Sequence, residues 1–265
     1  MAHIDCIFYS TSLKKNAHVI VFLPSVSADD YLEGRNTDYY GEEKTFPTLY
    51  LLHGSYGDCT DWSLRTGIER YAQDKGLAVV MPSGENSCYT AMAMGEDYLT
   101  YIGQELPAFT RKLFPLNRSR AQTYIAGLSM GGYGAYRVGL AFPETFGSIA
   151  SLSGALDMQA LQAGTEAHTQ KMDPHYKKAI FEDLFRINGT QNDLIYLLRG
   201  QLEGGGPLPS LYMNCGTEDF ILAANESFYA AATALGAKIR YEKFPGMHDW
   251  VFWDAHIQNV LEWLN

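Results

Sequence analysis

Runs of consecutive apolar residues, each closed by Gly, Ser or Pro, punctuate this chain. They read "AHVIVFLP" (17–24), "PTLYLLHG" (47–54), "LAVVMPSG" (77–84), "QTYIAGLS" (122–129), "GSIASLSG" (147–154), "PSLYMNCG" (209–216) and "AKIRYEKFPG" (237–246). Short apolar runs stopped by turn residues predict strands. Their continuity, in place of alternation, predicts strands covered on both faces. Between them the period becomes helical. Leu99, Ile102, Leu106, Phe109 and Leu113 share one face of 97–114. Leu222, Phe228, Ala232 and Leu235 do so in 220–236, with Gly236 as the stop. Trp253, Ile257, Val260, Leu261 and Leu264 repeat the pattern in the tail. Strands alternating with helices predict an α/β protein: a mostly parallel central sheet with helices on both faces.

Two segments break this rhythm. Residues 28–46 are polar and acidic and read as a surface loop or hairpin. Residues 155–207 are long for one crossover and hold at least two helical patterns. They read as a cap-like insertion within a single domain spanning 1–265, or as a decorated crossover.

Composition narrows the function classes. With 265 residues, 46% hydrophobic and 19% charged, the chain can build one large core and is no disordered polyelectrolyte. A net charge of -10 disfavours nucleic acid and anionic membrane as partners and favours small, weakly polar ligands. No apolar run is long enough to span a bilayer. The first residues lack the basic, apolar and cleavage regions of a signal peptide, so the cytoplasm is the expected compartment. Cys6, Cys59, Cys88 and Cys215 are too scattered for a metal site or a disulfide framework, and free thiols are expected. A homo-oligomer is compatible with all of this.

The chemistry concentrates at Gly127-Leu128-Ser129-Met130-Gly131, a G-x-S-x-G sequence between the strand pattern "TYIA" and the helix pattern "GGYGAYRVGLAFP". To present a side chain at such a sharp turn, the residues two before and two after must be tiny. The turn also sets Ser129 at a helix N-terminus, which favours developing negative charge. A nucleophilic serine needs a base, and the base an orienting acid. Seven histidines compete for the base. His3, His18 and His53 precede Ser129, His168 and His175 lie in the insertion, and His256 sits inside the terminal helix pattern. His248, in "FPGMHDW" between the last strand and last helix, fits the required order of Ser, acid, His. Asp219, just past the strand "YMNCG", is the expected acid, with Glu218 and Asp157 as rivals.

An oxyanion needs two N–H donors. Met130, directly after the nucleophile, supplies one. The second is assigned to Ser55 in "LLHGSYG", with the neighbouring Gly54 to Tyr56 peptides open. His53 reads as a strut shaping that loop. Gly54, Tyr56, Trp62, Tyr89, Phe220 and Trp250 flank these loops and are candidates for lining a substrate pocket, core packing being their other reading.

"LLHGSYGDCTDW", "YIAGLSMGGYGAYRVGLAFPETFGSIASLSGALD", "CGTEDF" and "FPGMHDW" together resemble the esterase D-type α/β-hydrolases. "YTAMAMGEDYLTYIGQELP" and "KKAIFEDLF" bring the chain nearest bacterial tributyrin esterases, with feruloyl and acetyl-xylan esterases and S-formylglutathione hydrolases as neighbouring branches. The resemblance implies an α/β-hydrolase fold and a serine carboxylesterase without metal or cofactor. Its nucleophile, acid and base fall on Ser129, Asp219 and His248. The substrate it implies is a small ester with a short acyl group, or an aromatic (hydroxycinnamoyl) acid or acetyl group on a sugar. A thioester hydrolase or an acyltransferase using the same three residues is the alternative. Where S-formylglutathione hydrolases carry a "GAGFY"-like patch, this chain has "SGENSCYTAM", which departs from that branch.

Overall fold

A computed structural model describes residues 1–35, 38–158, 174–183 and 186–264. All seven apolar runs form strands: β2 (Lys15–Leu23), β3 (Thr48–Leu52), β4 (Ala78–Pro82), β5 (Thr123–Leu128), β6 (Ser148–Leu152), β7 (Ser210–Gly216) and β8 (Ile239–Phe244). An eighth, β1 (Ala2–Ser10), is not among them. Its residues alternate: Ile4 and Phe8 pack inward, whereas Ile7 and Tyr9 stay exposed, as befits an edge strand. The order is β1-β2-β4-β3-β5-β6-β7-β8. Every neighbouring pair from β4-β3 to β7-β8 is parallel, and β1 and β2 form an antiparallel hairpin on one side.

The interior strands are continuous apolar runs because both faces are roofed. Leu49, Leu51, Val79, Met81, Ala126 and Leu128 point to one layer, against Ile68 and Ala72 of α3 (Ile68–Asp74) and Trp253 and Ile257 of the last helix, α9 (Trp250–Trp263). Their neighbours Tyr50, Leu52, Val80 and Ile125 point the other way. There they meet Leu106 of α4 (98–113), Val138 of α5 (Met130–Ala141) and Phe228 of α8 (Leu222–Ala234).

Helix α4 departs from its expected face. It opens as Tyr98–Thr100, widens into a π-turn over Tyr101–Glu105 and closes as Leu106–Leu113. The wider turn shifts the helical phase, so Leu113 ends 57% exposed while Thr110 is buried. Glu105 in this turn accepts from Ser10 Oγ, the Thr11 N–H and hydroxyl, and the Ser12 N–H, pinning the β1–β2 turn. Burial would raise its carboxyl, but these donors hold it at about 2.

Among the described residues of 28–46 no strand pair forms, so the loop reading holds there and the hairpin reading does not. The segment begins with a short helix, α1 (Ala28–Leu32), opened by a capping box between Ser27 and Asp30. Helix α2 (Asp61–Arg65) precedes α3. Of 155–207, the expected helical patterns that fall on described residues are α6 (Pro174–Phe181) and α7 (Leu194–Gly204). Residues 159–173 and 184–185 of that segment lie outside the described residues, and with them His168. Helix α7 and the turn before it are tied to α5. The Tyr133 hydroxyl donates to the Asn192 carbonyl at 2.8 Å, and Gln201 Nε2 donates to the Leu140 carbonyl at 3.1 Å.

Candidate active site

Four loops leave the C-terminal ends of β3, β5, β7 and β8 at one edge of the sheet, where open α/β sheets collect ligands. Ser129 stands on the second. It is the N-cap of α5 at φ 51° and ψ -116°, a conformation that costs a non-glycine residue on the order of 1–3 kcal/mol. The glycines around it are required by contact. A Cβ on Gly127 would lie 2.3 Å from the Gly131 carbonyl oxygen. One on Gly131 would lie 2.5 Å from the His53 oxygen and 2.6 Å from that of Leu52. The turn is also stitched to β6. The Ser129 N–H donates to the Leu152 carbonyl at 2.9 Å, and the Ser129 carbonyl accepts from the Ala155 N–H at 3.1 Å.

His248 follows β8 and Asp219 follows β7. His248 Nδ1 lies 3.0 and 2.9 Å from the two Asp219 carboxylate oxygens, and Nε2 lies 2.9 Å from Ser129 Oγ. A carboxylate only accepts, so Nδ1 carries the proton. In the neutral ring that leaves Nε2 as acceptor for the serine hydroxyl. The Asp219 side chain is fully buried, and one of its oxygens also accepts from the Ile221 N–H at 3.0 Å. The His248 side chain keeps 16% exposure, enough to meet a reactant. Phe220 lies against its ring at 4.6 Å and Trp253 meets it edge-on at 4.9 Å.

The two rival acids sit elsewhere. Glu218 Oε2 accepts from the Gly246 N–H at 2.6 Å, and Asp157 accepts from Ser227 Oγ at 2.8 Å. His256, in α9, stacks on Phe244 at the end of β8.

On the first loop, His53 is a strut. It is 1% exposed, its Nδ1 donates to the Gly54 carbonyl at 2.7 Å, and its Nε2 accepts from the Gly84 N–H at 2.8 Å. Burial pushes its pKa down, against a weaker pull upward from the Gly54 carbonyl, so the ring is neutral. Gly54 packs directly beside the nucleophile: a Cβ there would lie 3.5 Å from Ser129 Cβ. The Tyr56 N–H donates to Asn86 Oδ1 at 2.6 Å, which removes that peptide from the oxyanion candidates and leaves Gly54 and Ser55. Met130, the first residue of α5, has no preceding helical carbonyl for its N–H to bond.

The expected pocket residues divide. Gly54 lies beside Ser129 and Phe220, 41% exposed, lies against His248, whereas Tyr56, two residues past Gly54, is 68% exposed. Trp62 and Tyr89 are fully buried and offer a ligand no surface. Trp62 donates Nε1–H to the Leu52 carbonyl, and half-buried Trp250 packs edge-on against it at 5.4 Å. Tyr89 donates its hydroxyl to the His53 carbonyl at 2.9 Å, and its ring fills the space that glycines at 84 and 134 leave open. Trp253, Asn86 and the hydrogen bond between Glu218 and Gly246 escaped the sequence reading. Trp253 was legible only as part of an apolar helix face, and Asn86 sits in a loop without a motif.

A cavity of about 300 Å³ lies beside α5, lined by Tyr133, Leu156, Ile187, Leu194 and Phe228; Ser129, Asp219 and His248 do not line it. Among the described residues no three His, Cys, Asp or Glu side chains gather as a metal site, and no helix is long and apolar enough to cross a membrane.

The Esterase family model, described as "Putative esterase", matches residues 10–264. The chain belongs to this esterase family. An acetyl esterase of Caldicellulosiruptor saccharolyticus is 34% identical over 267 residues, covering 100% of this chain and 98% of that protein. Among solved structures, the fluorophosphonate-binding serine hydrolase FphF of Staphylococcus aureus superposes with a TM-score of 0.87 at 32% identity, covering 99% of this chain and 98% of that one. The S-formylglutathione hydrolase FrmB of the same organism gives 0.83 at 31% identity, with the same coverage. This esterase therefore has the α/β-hydrolase fold and is a serine hydrolase, in agreement with the sequence reading.

Proposed function

We propose that this esterase cleaves small carboxylic esters through an acyl-enzyme on Ser129. The supporting observation is the unbroken hydrogen-bonded line from Ser129 Oγ through His248 to buried Asp219. His248 Nε2 takes the hydroxyl proton as Ser129 Oγ attacks the ester carbonyl. The N–H groups of Met130 and Ser55 receive the oxyanion. Collapse of the tetrahedral adduct breaks the bond to the alcohol oxygen, which leaves with the proton from His248. Water then gives its proton to the same nitrogen, attacks the acyl-enzyme and releases the acid, returning the proton to Ser129. Asp219 holds the tautomer and balances the imidazolium in both halves. Gly54, Tyr56 and Phe220 flank the bound ester.

The substrate class is an acetyl or other short acyl ester, including acetylated sugars, with hydroxycinnamoyl esters as the aromatic extension. Likeness to the acetyl esterase supports the short acyl group. The chain acts as one catalytic domain over 1–265. Four free cysteines support work in a reducing cytoplasm. A second reading, thioester hydrolysis by the same residues, draws on the likeness to FrmB.

The test is turnover of p-nitrophenyl esters from acetate to octanoate, plus ferulate, with S-formylglutathione in parallel. Ser129→Ala should lower kcat by roughly 10⁴–10⁶ and stay folded. The oxygen ester class is rejected if S-formylglutathione alone is turned over, and the mechanism is rejected if Ser129→Ala keeps wild-type activity.

A further inference from the structure

The loop that carries His248 leaves the sheet with little to hold it. The β7–β8 ladder ends at the pair Gly216 and Phe244, and one more backbone bond runs from the Thr217 N–H to the Phe244 carbonyl at 2.8 Å. Beyond it, Pro245 and Met247 are exposed, and the chain turns at Gly246 with φ 144°. Gly246 is therefore the last fixed point before the imidazole.

Both backbone groups of Gly246 are held by one residue. The Glu218 N–H donates to the Gly246 carbonyl at 3.1 Å, and Glu218 Oε2 accepts from the Gly246 N–H at 2.6 Å. The other carboxylate oxygen accepts from Thr217 Oγ1 at 2.7 Å, which sets the side chain's direction. The two loops touch at backbone level: a Cβ on Gly216 would lie 2.1 Å from the Gly246 oxygen. Glu218 immediately precedes Asp219, so one dipeptide holds the histidine's loop with its first residue and the histidine's ring with its second. The Gly246 N–H, followed by Thr217, lowers the Glu218 pKa, so the acceptor is the charged form.

We infer that Glu218 is a positioning residue for catalysis, clamping the Gly246 turn so that His248 spans Asp219 and Ser129. This rests on the proposed roles of those three. Glu218 touches no reacting atom and acts only through the backbone of Gly246. Among the described residues, the groups against the His248 ring are Ser129, Asp219, Phe220 and Trp253, of which Asp219 is the charged side chain. Asp249, next along the chain, caps α9 on the Phe252 N–H and so faces the helix.

The experiment compares Glu218→Ala, Glu218→Gln and Ser129→Ala with wild type, reading kcat and KM for p-nitrophenyl acetate, the pH profile of kcat/KM, and the rate of serine labelling by a fluorophosphonate. Glu218→Gln keeps an oxygen that can accept from Gly246, whereas Glu218→Ala does not. Glu218→Ala should lower kcat and labelling by roughly 10–100-fold with KM within about 2-fold, the scale expected of a displaced catalytic group. Its acidic limb should move to lower pH, because a loosened Asp219 contact stabilises the imidazolium less. Glu218→Gln should stay within about 3-fold of wild type with an unmoved limb. The inference is overturned if Glu218→Ala keeps the wild-type profile and labelling rate. It is also overturned if Glu218→Gln moves the limb as far as Glu218→Ala, since the residue would then act through charge. Activity surviving in Ser129→Ala would instead remove the catalytic reading on which it stands.

Discussion

The turn that presents Ser129 and the loop that presents His248 meet across 2.9 Å, yet they are built on different principles. Around Ser129 the chain is packed: Met130 through Leu140 are all buried, and backbone touches backbone at Gly127, Gly131 and the end of β3. Position there comes from exclusion, because no larger residue fits. Around His248 the flanking residues are exposed, and position comes from hydrogen bonds to the β7 loop. The difference teaches where each half is vulnerable. A packed turn fails with the fold, whereas a hydrogen-bonded loop can lose its alignment while the sheet stays intact.

The sharpest break in that comparison comes at the acid. Asp219→Asn leaves the packing but removes the charge that selects the His248 tautomer. It should lower kcat by about 10⁴, with the fold intact by circular dichroism. Placed on the packed side, Gly131→Ala should do the opposite. Its methyl would meet the His53 and Leu52 carbonyls, so stability should fall by about 3 kcal/mol in urea titration, with activity lost in proportion to folded protein. A stable, inactive Gly131→Ala would mean that the turn is held by alignment and not by exclusion.

Smaller effects probe the frame between the two. Tyr89→Phe keeps the ring between Gly84 and Gly134 and removes only the bond to the His53 carbonyl. The expected cost is about 1 kcal/mol of stability. A kcat loss near 10-fold with unchanged KM would show that the oxyanion loop has shifted relative to Ser129. The mildest test uses pH. The pKa of His53 is depressed in the folded state by burial, so unfolding takes up a proton wherever pH lies below the unfolded value near 6.5. Its contribution is complete above that pH and is lost as pH falls through and below it, at no more than about 1.4 kcal/mol per pH unit. Wild type should therefore lose stability as pH falls below about 6.5, before carboxylates such as Glu105 begin to titrate, and His53→Gln should flatten that first loss.

Much of this molecule was legible from one dimension. The interior strands announce themselves because a strand roofed on both faces must be apolar throughout, and each of the seven runs became one. The serine turn is legible for the same reason its glycines are obligatory: a local backbone contact forbids side chains, and local rules leave local marks. The order of Ser129, Asp219 and His248 follows from which strand ends feed which loops.

Tertiary structure decided the rest, because the deciding contacts join residues far apart in the chain. Strand β1 was hidden because an edge strand needs only one apolar face. The π-turn in α4 turned Leu113 outward, and no periodicity argument anticipates an extra residue in a turn. Trp62 and Tyr89 read equally well as pocket or core until packing against Trp250 and His53 made them core. Glu218 and Asp219 are adjacent carboxylates that sequence could rank only by spacing. Which of them faces His248 and which holds Gly246 was set where β7 and β8 end side by side.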